Sequence, residues 1–127
     1  MGTRCLTYVY EGKTPLMCLY RQFDGYPSGH GAELADFLNK IKVGNGIPGK
    51  PEMGKFANGM GCLAAQLIAH FKKSVGGFYI HSIKDADGDG GMDYEYHVYP
   101  NKVVVKDPGA VVFSGSWGGF AEYCKAE

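Results

Sequence analysis

The sequence predicts a single α+β domain over residues 1–127, with an antiparallel sheet of about six strands and two main helices packed on one of its faces. Three observations carry this prediction. The length of 127 residues suits one hydrophobic core. Segments of strand length and pattern follow one another directly instead of alternating with helices. Two segments with apolar residues at helical spacing lie together after the first strand pair, which gives the order ββααββββ and a short final helix.

The individual elements follow from local patterns. Residues 4–10 and 16–23 alternate and are separated by a short turn, which predicts a hairpin. Residues 30–42 place apolar side chains at helical spacing, and residues 59–74 are apolar on most sides of a helix. Residues 44–58 hold four glycines and two prolines and are predicted to be irregular. The remaining predicted strands are 78–83, 93–99, 102–106 and 110–116, followed by a helix at 118–125.

Composition excludes several classes of function. Thirteen basic and thirteen acidic residues give a net charge of zero, so nothing electrostatic favours nucleic acid or an anionic membrane as partner. No apolar run is long enough to span a bilayer, and the N-terminus lacks the pattern of a signal peptide. The four scattered cysteines favour buried, reduced thiols. We therefore expect a cytoplasmic protein with no cofactor.

The stretch around residues 21–30 is the predicted site. It joins the second strand to the first helix through Asp24-Gly25, Pro27 and two further glycines, which permit tight bends or close approach of a ligand. Arg21 offers a planar fork for phosphate or carboxylate. Ser28 is a candidate N-cap of the helix. The candidate binding residues of this stretch are Arg21, Asp24, Tyr26, Ser28 and His30. The alternative is a compact connection in which Arg21 forms an exposed ion pair with Asp24 or Glu33.

Three candidates lie elsewhere in the chain. Asn58 can cap the second helix, and the Asn58-Gly-Met-Gly61 start offers a weak phosphate site. His97 shares one strand face with Glu95 and Tyr99 and is expected to oppose His81 across a hairpin. Trp117 beside two glycines is a candidate stacking platform for a planar ligand.

The histidines show no metal-binding spacing, so no metal site is predicted. The acidic loop from Asp85 to Asp93 matches the first half of a calcium loop, but its twelfth position is Tyr96 instead of Glu. An Asp- and Gly-rich hairpin tip explains this loop better, and weak calcium binding stays open.

The motifs Tyr-Arg-Gln-Phe-Asp-Gly-Tyr-Pro-Ser-Gly-His-Gly and Asn-Gly-Met-Gly-Cys-Leu-Ala-Ala-Gln support a resemblance. The chain resembles small uncharacterised proteins encoded by bacteriophages and found in marine metagenomes, over most of its length. The resemblance implies a phage setting and no particular catalytic residues. By analogy, small phage proteins often act by sequestering a host signalling nucleotide or blocking a host protein.

Three hypotheses for the function follow. The first is a non-enzymatic protein that binds a small, nucleotide-like molecule. The second is a small enzyme acting on a phosphorylated or nucleotide substrate, with His30 or His97 as general base and Asp24 or Glu95 as its partner. The third is a protein-interaction module that works through an exposed strand. Many aromatic residues and an apolar second helix also predict a homodimer.

Overall fold

The computed structural model describes residues 2–47, 49–85 and 92–127, and it has the predicted α+β architecture. The strands are β1 (Cys5–Glu11), β2 (Thr14–Arg21), β3 (Lys42–Gly44), β4 (Phe56–Asn58), β5 (Phe78–His81), β6 (Tyr94–Tyr99), β7 (Lys102–Asp107) and β8 (Ala110–Gly115). The helices are α1 (Ala32–Lys40), α2 (Gly59–Phe71) and α3 (Trp117–Ala126). A π-helical turn (Pro27–Gly31) precedes α1, and a 3₁₀ turn (Ile83–Asp85) follows β5.

The main sheet has six strands in the order β5-β2-β1-β6-β7-β8. All neighbours are antiparallel except the central pair β1 and β6, which is parallel. This corrects the expectation of a purely antiparallel sheet. The strands β5 and β6 do not form a hairpin, because β2 and β1 lie between them. His81 and His97 therefore have two strands between them and do not face each other.

The three helices share one face of the sheet, as predicted for the two main ones. On that face, Cys5 and Val9 of β1 and Val98 of β6 pack against apolar residues of the helices. The helix residues at the centre of this core are Leu34, Leu38, Leu63, Leu67 and Phe120, all fully buried. Burial of a Leu or Phe side chain contributes roughly 1.5–3 kcal/mol, so this cluster dominates the stability of the fold.

The opposite face of the sheet carries a smaller aromatic cluster. Leu6, Tyr8, Tyr10 and Cys18 are buried there, and Tyr20, Met92 and Tyr99 pack beside them. The alternation of β1 explains this division, since Leu6 and Tyr8 point away from the helices while Cys5 and Val9 point toward them. Both faces of β1 are thus buried, in keeping with its central position.

The segment 44–58 is less irregular than predicted. Its ends form β3 and β4, a short parallel pair in which Lys42 lies opposite Phe56. The side chain of Gln66 holds the segment against α2, because its amide oxygen accepts from Gly54 N and its nitrogen donates to Phe56 O. Buried polar side chains need hydrogen-bond partners, so these two bonds account for the buried position of Gln66 without a role in ligand binding.

Candidate functional site

Arg21 and His30 form a buried polar cluster beneath the helices. Arg21 is the last residue of β2, and His30 lies in the π-helical turn that follows. The His30 Nδ1 atom is 3.2 Å from Arg21 Nη1, and its Nε2 atom is 2.7 Å from Thr7 Oγ1. A guanidinium only donates hydrogen bonds, so Nδ1 accepts and Nε2 carries the proton that is donated to Thr7. The cluster therefore fixes one neutral tautomer of His30.

The electrostatic setting of His30 opposes protonation. Burial, and to a smaller extent the positive charge of Arg21, lower the pKa of His30 to about 3. Removing a cationic imidazolium from water is costly, and a neighbouring cation adds repulsion. His30 is also 0 % exposed, with its ring against Phe71 and Tyr96. In this structure it is a neutral, enclosed side chain that a substrate does not reach.

Arg21 is itself largely satisfied by its neighbours. Its Nε donates to Phe23 O at 2.7 Å, its Nη1 bonds to the Glu33 carboxylate, and its Nη2 lies 4.0 Å from Asp24. The guanidinium also lies over the ring of Phe78, 5.0 Å from its centroid. The expected ion pairs with Asp24 and Glu33 are thus present, although the Arg21 side chain is only 14 % exposed. Two adjacent carboxylates make this arginine a poor receptor for a further anion.

The glycines of this stretch are required by packing within the protein. A Cβ at Gly25 would lie 2.9 Å from the backbone of Arg4 and the side chain of Cys5, and one at Gly31 would lie 2.9 Å from Cys124 Sγ. The Gly25 carbonyl accepts a hydrogen bond from Tyr96 Oη at 2.7 Å. These contacts seat the turn against β1, β6 and α3. The space beside these glycines, which was predicted to admit a ligand, is therefore filled by the protein's own chain.

The remaining predicted residues of this stretch lie at its surface. The Tyr26 hydroxyl donates to Asp24 Oδ1 at 3.3 Å, and Asp24 has a positive φ of 61°, a conformation that Asp tolerates better than most residues. Ser28 is exposed and does not cap the helix, because the turn begins after Tyr26 with Pro27 in its first position. The prediction of Ser28 as N-cap was wrong.

The structure does not bring Asn58, His97 and Trp117 into this cluster. Asn58 precedes α2 but makes no side-chain cap bond, and its Oδ1 accepts from Gly46 N instead. Trp117 begins α3, and its Nε1 donates to Tyr99 O at 3.0 Å. His97 lies in β6 on the other face of the sheet, which separates it from His30.

His97 belongs to a second buried network. Its Nε2 lies 3.0 Å from Glu95 Oε1, and its Nδ1 lies 2.6 Å from the hydroxyl of Tyr10. The ring of Tyr8 stacks on His97 at 4.8 Å, and that of Tyr99 stacks on Tyr10 at 4.4 Å. His97 is 1 % exposed. The predicted partnership of His97 with Glu95 is present, but within the core.

Metal binding gains no support from the residues that the structure describes. Among them, no group of three His, Cys, Asp or Glu side chains converges. Residues 86–91 of the acidic loop, with Asp87 and Asp89, lie outside the described residues. Weak calcium binding by this loop stays a prediction.

A surface groove that the sequence did not predict lies beside β5. It has a volume of about 350 Å³ and is lined by Leu19, Ile68, Lys72, Phe78, Tyr79 and Ile80. Lys72 is the C-cap residue of α2. Its Nζ donates to two carbonyl oxygens of the chain that follows the helix, Val75 O at 2.9 Å and Phe78 O at 2.7 Å. Its ammonium also lies 5.1 Å from the centre of the Tyr79 ring. The groove combines an apolar floor, aromatic rings and one cation.

The sequence held one signal for this groove. The segment 78–80 is Phe-Tyr-Ile, a run that is apolar on both faces although it belongs to a short strand. Such a run is typical of a strand buried on both sides. In the structure it is an edge strand, so part of this apolar surface is left uncovered.

Comparisons with known proteins leave the chain without a family: no family model, curated protein or solved structure matches it. In the described part of the chain, no helix is long and apolar enough to cross a membrane.

Proposed function

We propose that the protein is a non-enzymatic binding protein that holds a small, flat, anionic ligand in the groove beside β5. The observation that carries the proposal is the pairing of an apolar, partly aromatic groove of about 350 Å³ with the ammonium of Lys72. Small-molecule sites are typically concave, mostly apolar and at least 300 Å³ in volume, with few polar groups to orient the ligand.

The lining of the groove indicates the chemistry of the ligand. Phe78 and Tyr79 both line the groove, and the half-exposed Tyr79 ring is the one against which a planar group can pack. Lys72 uses two of its three ammonium protons for backbone carbonyls, which leaves one for a phosphate or carboxylate oxygen. A ring carrying an anionic group meets both features, and a nucleotide is one such molecule. In a phage setting, a nucleotide that the host uses as a signal would suit this site.

The alternative of a small enzyme is less favoured because of where the two proposed general bases lie. A general base must reach the proton it removes, within hydrogen-bond distance of a substrate. His30 is 0 % and His97 1 % exposed, and each is engaged with side chains of the protein. Binding without chemistry therefore agrees better with the described residues.

The test is binding of a nucleoside mono- and diphosphate panel, followed by recovery of each ligand after heat denaturation. We expect calorimetry to detect binding and mass spectrometry to return the ligand intact. Lys72→Gln should weaken binding about tenfold, the loss of one charge-assisted hydrogen bond of roughly 1.4 kcal/mol. Lys73→Gln is the matched control, since Lys73 is the next residue and does not line this groove.

Melting temperatures separate a binding defect from unfolding, because Lys72→Gln also removes two bonds to backbone carbonyls. A chemically altered ligand would establish the enzyme alternative instead. If no member of the panel binds, or if both lysine variants bind as tightly as the unmodified protein, the groove is not a nucleotide site.

A further inference from the structure

We infer that the β3–β4 loop (residues 45–55), together with the adjoining ends of α2, docks onto a membrane surface that carries anionic lipid headgroups. The groove beside β5 is a separate surface, because none of the residues that line it belongs to this loop. Three properties of the loop and its surroundings favour such a partner: their positive charge, the exposed aliphatic side chains of the loop and the helix start beside it.

Positive charge is concentrated in the middle of the chain. Residues 41–83 hold five lysines and one acidic residue, Glu52, whereas residues 84–127 hold four lysines and eight acidic residues. The net charge of zero is therefore an average over unlike regions, and it does not exclude local attraction to an anionic membrane. Such a membrane responds to the charges within about 10 Å of the contact, which is the Debye length at 0.1 M salt.

Three exposed lysines are spread along β3 and the loop. Lys42 of β3 points away from the core, because its neighbour Val43 packs against the core. Lys50 and Lys55 lie within the loop. The Lys55 ammonium lies 3.2 Å from the carboxylate of Glu52, which is the only acidic residue of the loop. The loop and its flank therefore carry a net positive charge.

Both ends of α2 add positive charge beside the loop. Lys73, two residues after α2, lines a hollow of about 200 Å³ together with Met53 of the loop. At the start of α2, Asn58 and Cys62 line a second hollow with Ile47 of the loop. A helix N-terminus bears partial positive charge, and the first turn of α2 contains no acidic side chain that would offset it.

Two aliphatic side chains of the loop are exposed among these lysines. Ile47 is 66 % exposed and Met53 72 %, and both line the hollow at the start of α2. Aliphatic residues beside lysines are typical of segments that bind at the membrane interface, where the apolar groups enter the acyl boundary and the ammonium groups meet the headgroups. Neither side chain has a ring on which a base could stack, so a membrane is favoured over single-stranded nucleic acid.

The small extent of this aliphatic contact favours a membrane over an acidic protein. A stable protein partner buries roughly 800 Å² of each surface in a complementary fit. The β3–β4 loop offers two separate side chains, Ile47 and Met53. A fluid bilayer requires no fixed shape of its partner, and each lysine near an anionic surface adds its own attraction.

Vesicle sedimentation of the ligand-free protein tests this docking surface. The vesicles consist of phosphatidylcholine alone or of phosphatidylcholine with about one-third phosphatidylserine. We expect the protein to bind the anionic vesicles and to bind the neutral ones at least about tenfold more weakly. Binding to the anionic vesicles should weaken by a similar factor in about 1 M salt, where the Debye length falls to about 3 Å.

Two double variants separate the contributions of charge and aliphatic contact. Lys50→Gln with Lys73→Gln removes two exposed charges and should weaken binding to the anionic vesicles at least about tenfold. Ile47→Ser with Met53→Ser removes the exposed aliphatic groups and should weaken binding to the same vesicles at low salt as well as at high salt. All four side chains are exposed, so both variants should melt close to the unmodified protein.

Lys13→Gln with Lys125→Gln is the matched control, because it removes two exposed lysines from the β1–β2 turn and from α3. It should bind the anionic vesicles as tightly as the unmodified protein. An unmodified protein that does not bind these vesicles overturns the inference, as does a Lys50→Gln, Lys73→Gln variant that binds as tightly as the control. Binding to soluble polyglutamate or to a DNA oligonucleotide, but not to vesicles, would assign the surface to an acidic protein or to nucleic acid instead.

Discussion

His30 and His97 lie on opposite faces of the same sheet and are both buried, but the charged side chain beside each has the opposite sign. His30 lies beneath the helices and accepts a hydrogen bond from the cation Arg21. His97 lies among tyrosines on the other face, with its Nε2 directed at the carboxylate of Glu95. The two side chains have the same chemistry in the sequence and opposite partners in the fold.

The difference shows what each histidine contributes. His30 satisfies two groups at once, the guanidinium of Arg21 and the hydroxyl of Thr7, and it must be neutral to do so. His97 connects Glu95 to Tyr10 within a stack of rings. A histidine beside a carboxylate resembles a catalytic pair. Because the hydrogen-bond networks of His30 and His97 are both buried, we interpret them as structural contacts that hold the strands and turns together. The predictions below test this interpretation, in order of expected size.

The largest effect is expected from removing the His30 ring. His30→Ala leaves a cavity between Phe71 and Tyr96 and removes the partner of Thr7 and Arg21. We expect the free energy of unfolding to fall by about 3–5 kcal/mol. His97→Ala should lower the free energy of unfolding by a similar amount, since it also removes a ring from a buried aromatic stack. His81→Ala, on the half-buried edge strand, should cost less than about 1 kcal/mol. Urea unfolding compares the three, and equal losses at His30 and His81 would contradict the assignment.

Arg21→Ala is expected to have the next largest effect, about 2–3 kcal/mol. It leaves His30 Nδ1 without its donor in a buried site, while Glu33 and Asp24 are exposed enough to be hydrated. Arg21→Lys should recover only part of this loss, because an ammonium cannot reproduce the fork that bonds to Phe23 O and Glu33 together. Any loss of ligand binding in these variants should follow the loss of stability. A stable Arg21→Ala protein that has lost binding would return the site to residues 21–30.

The pH dependence of stability should distinguish His30 from an ordinary histidine. Its pKa is lowered to about 3 in the fold, against about 6.5 when unfolded. Between these values the unfolded chain binds a proton that the folded protein does not, so stability is lost as pH falls from about 6.5. One proton corresponds to a slope of about 1.4 kcal/mol per pH unit.

Carboxylates titrate in part of the same window, so the measurement is a difference between the unmodified protein and His30→Gln. The slope attributed to His30 should be present in the first and absent in the second. Identical slopes between pH 6.5 and 4.5 would mean that His30 is protonated in the folded protein.

The smallest effect is expected at the hydroxyl groups. Thr7→Val keeps the shape of a buried β-branched side chain and leaves His30 Nε2 without its acceptor, at a cost of about 1–2 kcal/mol. Tyr10→Phe removes the hydroxyl that meets His97 Nδ1 and should cost a similar amount. Thermal melts resolve differences of this size in a protein of this length. No change at Thr7 would show that its hydrogen bond to His30 contributes nothing net.

The elements of the fold were predictable because their signals are local. The apolar spacing of residues 59–74 predicted a helix, and α2 covers Gly59–Phe71. The alternation of residues 93–99 predicted a strand, and β6 covers Tyr94–Tyr99 with Glu95, His97 and Tyr99 on one side. The ion pairs of Arg21 with Asp24 and Glu33 were predicted only as the alternative to a binding site, and the structure contains them.

Three features depended on residues that are far apart in the chain. In the sheet β6 lies beside β1 and not beside β5, and in this position Tyr96 and Val98 of β6 join the core beneath the helices. This arrangement leaves β5 at the edge and creates the groove beside it. It also encloses His30 and His97, which removes them from solvent.

Local periodicity by itself therefore determined the three α-helices, the six strands of the main sheet and the α+β class, since it reflects how a helix or a strand distributes its side chains. The order of the strands, the exposed edge and the electrostatic surroundings of each histidine were decided by tertiary structure alone. Their physical basis is the pairing of segments separated by up to ninety residues, such as Tyr10 with His97, which no local spacing encodes.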